Sequence, residues 1–168
     1  MTIRIGDTLP AGTLHEATQF DASAGCPLNP VAVDVLDACR GKRIVVFGLP
    51  GAYTPTCSAR HLPGYLDQYE ALKAKGIDEI WCVATNDAYV MGAWGHEQKV
   101  AGRVRMLGDG NTVWTRALGL EIDRTPSGMG LRMQRFSMLV DDGVVKALNI
   151  EAPGKFEASD AGTMLRSL

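Results

Sequence analysis

Five apolar runs of strand length punctuate the chain, at 44–49, 79–85, 103–107, 136–140 and 144–149. Between them lie stretches whose apolar residues recur at helical spacing, at 57–75, about 87–100, 111–119 and 157–167. In the first of these, Leu62, Tyr65, Leu66, Tyr69 and Leu72 share a face, and Gly76 supplies a stop. Asn86-Asp87 is an N-cap signal for the second, and Val35–Gly41 reads as a short helix closed by its glycine. Alternating strands and helices argue for a layered α/β fold. Asp141-Asp142-Gly143 separates the last two strands as a hairpin turn would, which makes the expected sheet mixed, with helices on both faces. Trp81, Trp94 and Trp114 read as packing anchors.

Composition narrows the picture. With 168 residues, 46% of them hydrophobic, the chain can bury a substantial core, and no linker, repeat or low-complexity segment divides it, so one domain over 1–168 is expected. A net charge of -2, with 21% charged residues and no block of like charge, gives no electrostatic footprint for nucleic acid or an anionic membrane. There is no apolar stretch long enough to span a bilayer, and the start lacks the layout of a secretion signal. A cytoplasmic location is the expectation.

The cysteines, at 26, 39, 57 and 82, contain no Cys-x-x-Cys and do not cluster with His15, His61 or His96. Neither a disulfide framework nor a metal site is suggested. Cys82 lies in an apolar strand and reads as core, Cys39 falls on the short helix, and Cys26 sits in a loop where exposure is expected. Cys57 differs, because a strand gives way to a helix there. If the helix begins near Thr56, unpaired N–H groups and the macrodipole favour a thiolate. An ordinary cysteine is roughly 3% ionised at pH 7, so complete ionisation raises the reactive population only about thirty-fold. A fast enzyme therefore also needs donors aimed at the reacting group. Thr54, three residues upstream, is one candidate, and Pro50 and Pro55 stiffen the same loop. Arg135 opens the run 136–140 and could project a guanidinium over the sulfur, with Arg132 as its rival. His61, four residues along the helix, suits packing or solubility; a pre-ionised thiolate needs no base.

The segment Pro50-Gly-Ala-Tyr-Thr54-Pro-Thr-Cys57-Ser58, with His61-Leu-Pro-Gly64, resembles the signature of the peroxiredoxins, and within them the type-five and plant type-II subgroup. The likeness continues through Ala71–Gly76, Thr85–Val90, Ala93–Gly95, Arg135–Met138 and Asp142–Asn149, and is loose over 14–40 and the C-terminal end. It implies a thioredoxin-like fold and a thiol peroxidase acting on hydrogen peroxide and small organic hydroperoxides, with no cofactor. Carried over residue by residue, Cys57 attacks the O–O bond, Thr54 and Arg135 hydrogen-bond the peroxide oxygens, and Pro50 shields the thiolate. The family commonly pairs subunits across this edge, so a homodimer involving Tyr53 and Pro55 is implied. Some members of the subgroup resolve the sulfenic acid with a C-terminal thiol, but no cysteine follows Cys82. A one-cysteine cycle results, with glutathione, glutaredoxin or thioredoxin as external reductant. Two other functions compete: disulfide exchange with protein partners, which the missing Cys-x-x-Cys disfavours, and a non-enzymatic redox-sensing or client-holding dimer.

Overall fold

The structure is a computed structural model that describes all 168 residues. The chain runs β1 (Thr13–Glu16), β2 (Gln19–Asp21), β3 (Cys26–Leu28), β4 (Val31–Asp34), α1 (Val35–Cys39) and β5 (Arg43–Leu49). A π-helical turn (Cys57–His61) leads into α2 (Leu62–Asp67) and α3 (Tyr69–Ala74), followed by β6 (Glu79–Ala84), α4 (Ala88–Glu97), β7 (Arg105–Gly108) and α5 (Val113–Leu118). The last third holds β8 (Glu121–Asp123), a 3-10 turn, β9 (Leu131–Met133), β10 (Phe136–Asp141), β11 (Val144–Ile150) and α6 (Ala161–Arg166).

Seven strands form one mixed sheet in the order β11-β10-β5-β6-β7-β1-β4. Its centre is parallel, β5 with β6 and β6 with β7, while β10 joins β5 antiparallel and pairs with β11 through the expected Asp-Gly turn. Because strand side chains alternate, β5 supplies both layers. Val45, Phe47 and Leu49 face the π turn, α2, α3, α4 and α6, and Ile44 and Val46 face α1 and α5. Trp81, Trp94 and Trp114 are fully buried, two beneath one face and one beneath the other, as packing anchors should be. At roughly 1.5–3 kcal/mol for each large apolar side chain buried, these two layers dominate the stabilisation.

Several elements differ from the sequence expectation. Strands β1 and β4 extend the main sheet beyond β7, and β2–β3 and β8–β9 form separate hairpins. None was expected: β1 buries only alternate residues over four positions, too short a pattern to stand out. Cys26 opens β3 rather than lying in a loop, though it is exposed as expected. The helix expected over 57–75 is broken into three. Pro63 has no N–H to offer the carbonyl four residues back, and the chain widens before it into the π turn, where Leu62 N–H bonds Cys57 O. Gly76 does end the segment, at φ 82°. The C-terminal helix shrinks from 157–167 to Ala161–Arg166, because the N–H groups of residues 157–159 are taken by Glu151 and Asp160 is the N-cap. No helix is long and apolar enough to cross a membrane.

Candidate active site

The loop between β5 and the π turn is held from three directions. Ala52 N–H donates to Asn86 Oδ1 at 2.8 Å, the Thr54 hydroxyl donates to Gly51 O at 2.9 Å, and Arg132 Nη1 donates to Pro50 O at 3.3 Å. Asn86, half of the expected N-cap pair, thus holds the loop, while Asp87 caps α4 through Val90 N–H. These ties keep Tyr53 in the left-handed region at φ 61°, a conformation costing about 1–3 kcal/mol for a non-glycine residue. Ser58 N–H bonds Thr54 O, so Cys57 lies in the first helical turn, and Trp94 Nε1 donates to Ser58 Oγ at 3.1 Å from the adjoining α4.

Cys57 is wholly buried, and its Sγ accepts a hydrogen bond from Arg135 Nη2 at 3.1 Å. A guanidinium at that distance stabilises negative charge on sulfur, and burial strengthens the effect by excluding water. Arg132, the rival, is spent on Met129 O and Pro50 O. Gly48, the penultimate residue of β5, leaves room for Phe136, the neighbour of Arg135: a Cβ there would overlap the Phe136 ring and approach Met133 sulfur to 2.6 Å.

Arg135 is itself held by residues for which the sequence signals no such role. Its Nη1 donates to His61 Nδ1 at 2.9 Å. Guanidinium only donates and carbonyl only accepts, so His61 must be neutral, with its Nε2–H given to Ser159 O at 3.1 Å. The electrostatics agree: burial, then the Arg135 charge, pushes the imidazole down to about 3. Ser159 O also accepts the Tyr65 hydroxyl at 2.8 Å. The segment carrying it is pinned by Glu151 Oε1, which takes the N–H groups of Glu157, Ala158 and Ser159 and the Ser159 hydroxyl at 2.7–2.9 Å. Burial works against that carboxylate, yet these bonds hold it below its ordinary range. Glu151 N–H in turn bonds Arg135 O, which closes a ring from the arginine backbone round to its guanidinium. Phe156 packs edge-on against His61, with centroids 4.9 Å apart, and lies under the Arg135 guanidinium at 5.7 Å. Spacing placed His61 one turn from Cys57, but nothing local marks Glu151 or Ser159, which reach the site only through the β11–α6 connection.

A cavity of about 300 Å³ is lined in part by Pro50, Thr54, Pro55, Thr56 and Arg135; Cys57 is not in its wall and is linked to it through Arg135, whose Nη2 bonds the sulfur. Three of the four sequence candidates, Pro50, Thr54 and Arg135, thus line one space, the fourth, Cys57, is buried against Arg135, and Arg132 lies outside the cavity. Two further thiols, Cys39 and Cys82, are buried. Burial pushes Cys39 up to about 12 and raises Cys82 well above the ordinary range, Cys57 adding to the second effect. No group of three His, Cys, Asp or Glu side chains is arranged to hold a metal ion.

Comparison with known proteins agrees with this geometry. The family described as Redoxin matches residues 4–165. Peroxiredoxin-2E-2, a chloroplastic protein of Oryza sativa subsp. japonica, is 47% identical over 99% of this chain and 73% of its own length. Peroxiredoxin-2B of Arabidopsis thaliana is 41% identical, covering 99% of this chain and 98% of that protein. Among solved structures, reduced Prx3 of Vibrio vulnificus in complex with hydrogen peroxide superposes with a TM-score of 0.88 at 47% identity, covering 99% of both chains. A layered sheet, a thiol under a guanidinium at a helix opening and relatives of this closeness lead to one conclusion: the chain belongs to the peroxiredoxins, thiol-dependent peroxidases of thioredoxin-like fold.

Proposed function

We propose that Cys57 is the peroxidatic cysteine of a one-cysteine cycle and that Arg135, Thr54 and Pro50 complete its site. The observation that carries this reading is the 3.1 Å contact between Arg135 Nη2 and the buried Cys57 Sγ. In the first half-reaction the thiolate attacks one peroxide oxygen. The S–O bond forms as the O–O bond breaks, the sulfur is oxidised to Cys57–SOH, and the departing RO⁻ takes a proton to leave as alcohol or water. Arg135 faces the oxygens on which charge develops. Thr54, whose own proton is given to Gly51 O, offers its lone pairs to the peroxide O–H. Pro50 keeps water from the sulfur, and His61 and Glu151 act as positioning residues for Arg135.

In the second half-reaction an external thiol attacks Cys57–SOH, releasing water and leaving a mixed disulfide, and a second thiol frees Cys57 as the oxidised reductant departs. Burial of Cys39 and Cys82, and the place of Cys26 on the separate β2–β3 hairpin, favour an external reductant over an internal partner. Glutathione, glutaredoxin and thioredoxin are the candidates. Tyr53, 52% exposed, and exposed Pro55 beside the cavity support pairing with a second copy along this edge. A cytoplasmic, single-domain enzyme remains our reading.

The test is mass spectrometry of fully reduced protein given one equivalent of hydrogen peroxide and a sulfenic-acid trap. The adduct is expected on Cys57, lost in Cys57→Ser and retained in Cys82→Ser. A trapped adduct elsewhere, or none, sinks the assignment.

A further inference from the structure

Hydrogen peroxide has two heavy atoms, yet the cavity that Arg135 lines holds about 300 Å³, the lower end of the range that accommodates small-molecule ligands. Its outer walls come from two segments the peroxidase reading does not use: the β8–β9 hairpin, with Ile122, Arg124 and Met129, and the loop after β11, with Pro153 and Lys155. The charge at this mouth is one-sided. Arg124 makes no ion pair, and Lys155 has only a loose, exposed one to Glu157 at 3.8 Å. The sole carboxylate in the lining, Glu151, is already saturated by four donors. Neighbouring Asp123 is turned away onto Thr125 N–H at 2.8 Å. Two cations, Arg124 and Lys155, therefore share a cavity wall with Arg135, whose Nη2 bonds the sulfur, and the exposed Glu157 carboxylate, 3.8 Å from Lys155, is the one anion paired with either of them.

We propose that Arg124 and Lys155 form a carboxylate subsite that binds a small anionic thiol, of the kind glutathione represents, and delivers its sulfur to oxidised Cys57. The proposal rests on the peroxidase reading above and names the reductant class that the cavity fits. Each turnover consumes one peroxide, which can be as small as hydrogen peroxide, and two thiols, so the surplus space and charge match the thiol half-reaction. The attacking sulfur of the bound thiol forms a disulfide with Cys57 as the sulfenic oxygen leaves with a proton as water. A second thiol then displaces Cys57 and departs as the small-molecule disulfide, and the electrons for the whole cycle come from these two thiols.

Two experiments test it. The first measures reduction of preformed Cys57 sulfenic acid by stopped flow, with glutathione, glutathione diethyl ester and 2-mercaptoethanol. In Arg124→Ala/Lys155→Ala the glutathione rate constant should fall about five- to tenfold, the size of two partly exposed charge pairs. The ester and 2-mercaptoethanol should stay within about twofold of wild type, as should oxidation by hydrogen peroxide. High salt should weaken the wild-type preference for glutathione over its ester. An unchanged glutathione rate, or an equal loss for all three thiols, overturns the subsite. So does a loss confined to oxidation by a carboxylate-bearing hydroperoxide, which would assign the cations to the peroxide. The second measures binding of unreactive S-methylglutathione to Cys57→Ser protein by calorimetry, with the same two alanines weakening it about five- to tenfold. No binding overturns the subsite whatever the chemistry. Intact, Arg124-dependent binding in a protein whose wild type forms no sulfenic acid would uphold the subsite and sink the peroxidase reading instead.

Discussion

Replacing His61 with asparagine should flatten the dependence of stability on pH. Two hydrogen bonds force the imidazole to stay neutral in the fold, and burial with the Arg135 charge lowers it to about 3, against about 6.5 in an unfolded chain. A folded-state value below the unfolded one means that the unfolded chain binds the extra proton. The contribution is complete above pH 6.5 and is lost as pH falls toward 3. Integrating from pH 7.5 to 5, above the range where carboxylates titrate, gives a loss of about 2 kcal/mol from this residue. Urea denaturation of reduced protein at several pH values in that window reads the effect directly. His61→Asn will start less stable, having lost buried packing, but its curve should be flatter than wild type by about 2 kcal/mol over the same span. Parallel curves would refute the reasoning, because they would mean that His61 accepts a proton in the folded state as readily as outside it. Arg135 would then lack the acceptor that orients it.

Other expectations follow from the same geometry. Glu151→Ala strands three N–H groups, that of Ser159 buried and those of Glu157 and Ala158 partly so, and the buried Ser159 hydroxyl, so it should cost about 3 kcal/mol in thermal or urea denaturation and slow Cys57 oxidation; Glu151→Gln keeps an acceptor oxygen and should cost distinctly less. Gly48→Ala drives a methyl into the buried Phe136 ring and should destabilise by about 1–3 kcal/mol, seen as a Tm lowered by about 2–4 °C per kcal/mol. Trp94→Phe removes one hydrogen bond to Ser58 and should cost about 1 kcal/mol or more in denaturation, without abolishing sulfenic acid formation.

What could be read along the chain was what repeats locally. Strand β5, strand β6 and the β10–β11 hairpin announce themselves by apolar runs and an Asp-Gly turn, and Gly76 marks its helix end by a conformation few other residues adopt. Strands β1 to β4 escaped notice because each spans three or four residues with few buried side chains, and β1 is joined to the main sheet by β7, far along the sequence. At the site, Thr54 and Cys57 are neighbours in sequence, so their meeting was legible. Arg135 was singled out by its place before a strand and by family resemblance, and the geometry sets it apart from Arg132, which turns to Pro50 O. His61 was visible yet undervalued, since its role depends on Ser159 and Arg135 arriving from elsewhere. The π turn was also hidden, because Pro63 inside a helical pattern signals disruption without specifying its form.

The central claim is that the Arg135 guanidinium over a buried sulfur makes Cys57 fast toward peroxide. Its most direct test is the second-order rate constant for Cys57 oxidation by hydrogen peroxide, compared between wild type and Arg135→Ala with thermal denaturation as a check on folding. A folded variant slower by about 10²–10³-fold is the expected result, the cost of removing one donor aimed at developing charge. A folded variant that reacts as fast as wild type, or a wild-type Cys57 no faster than exposed Cys26 in the same molecule, would contradict the account.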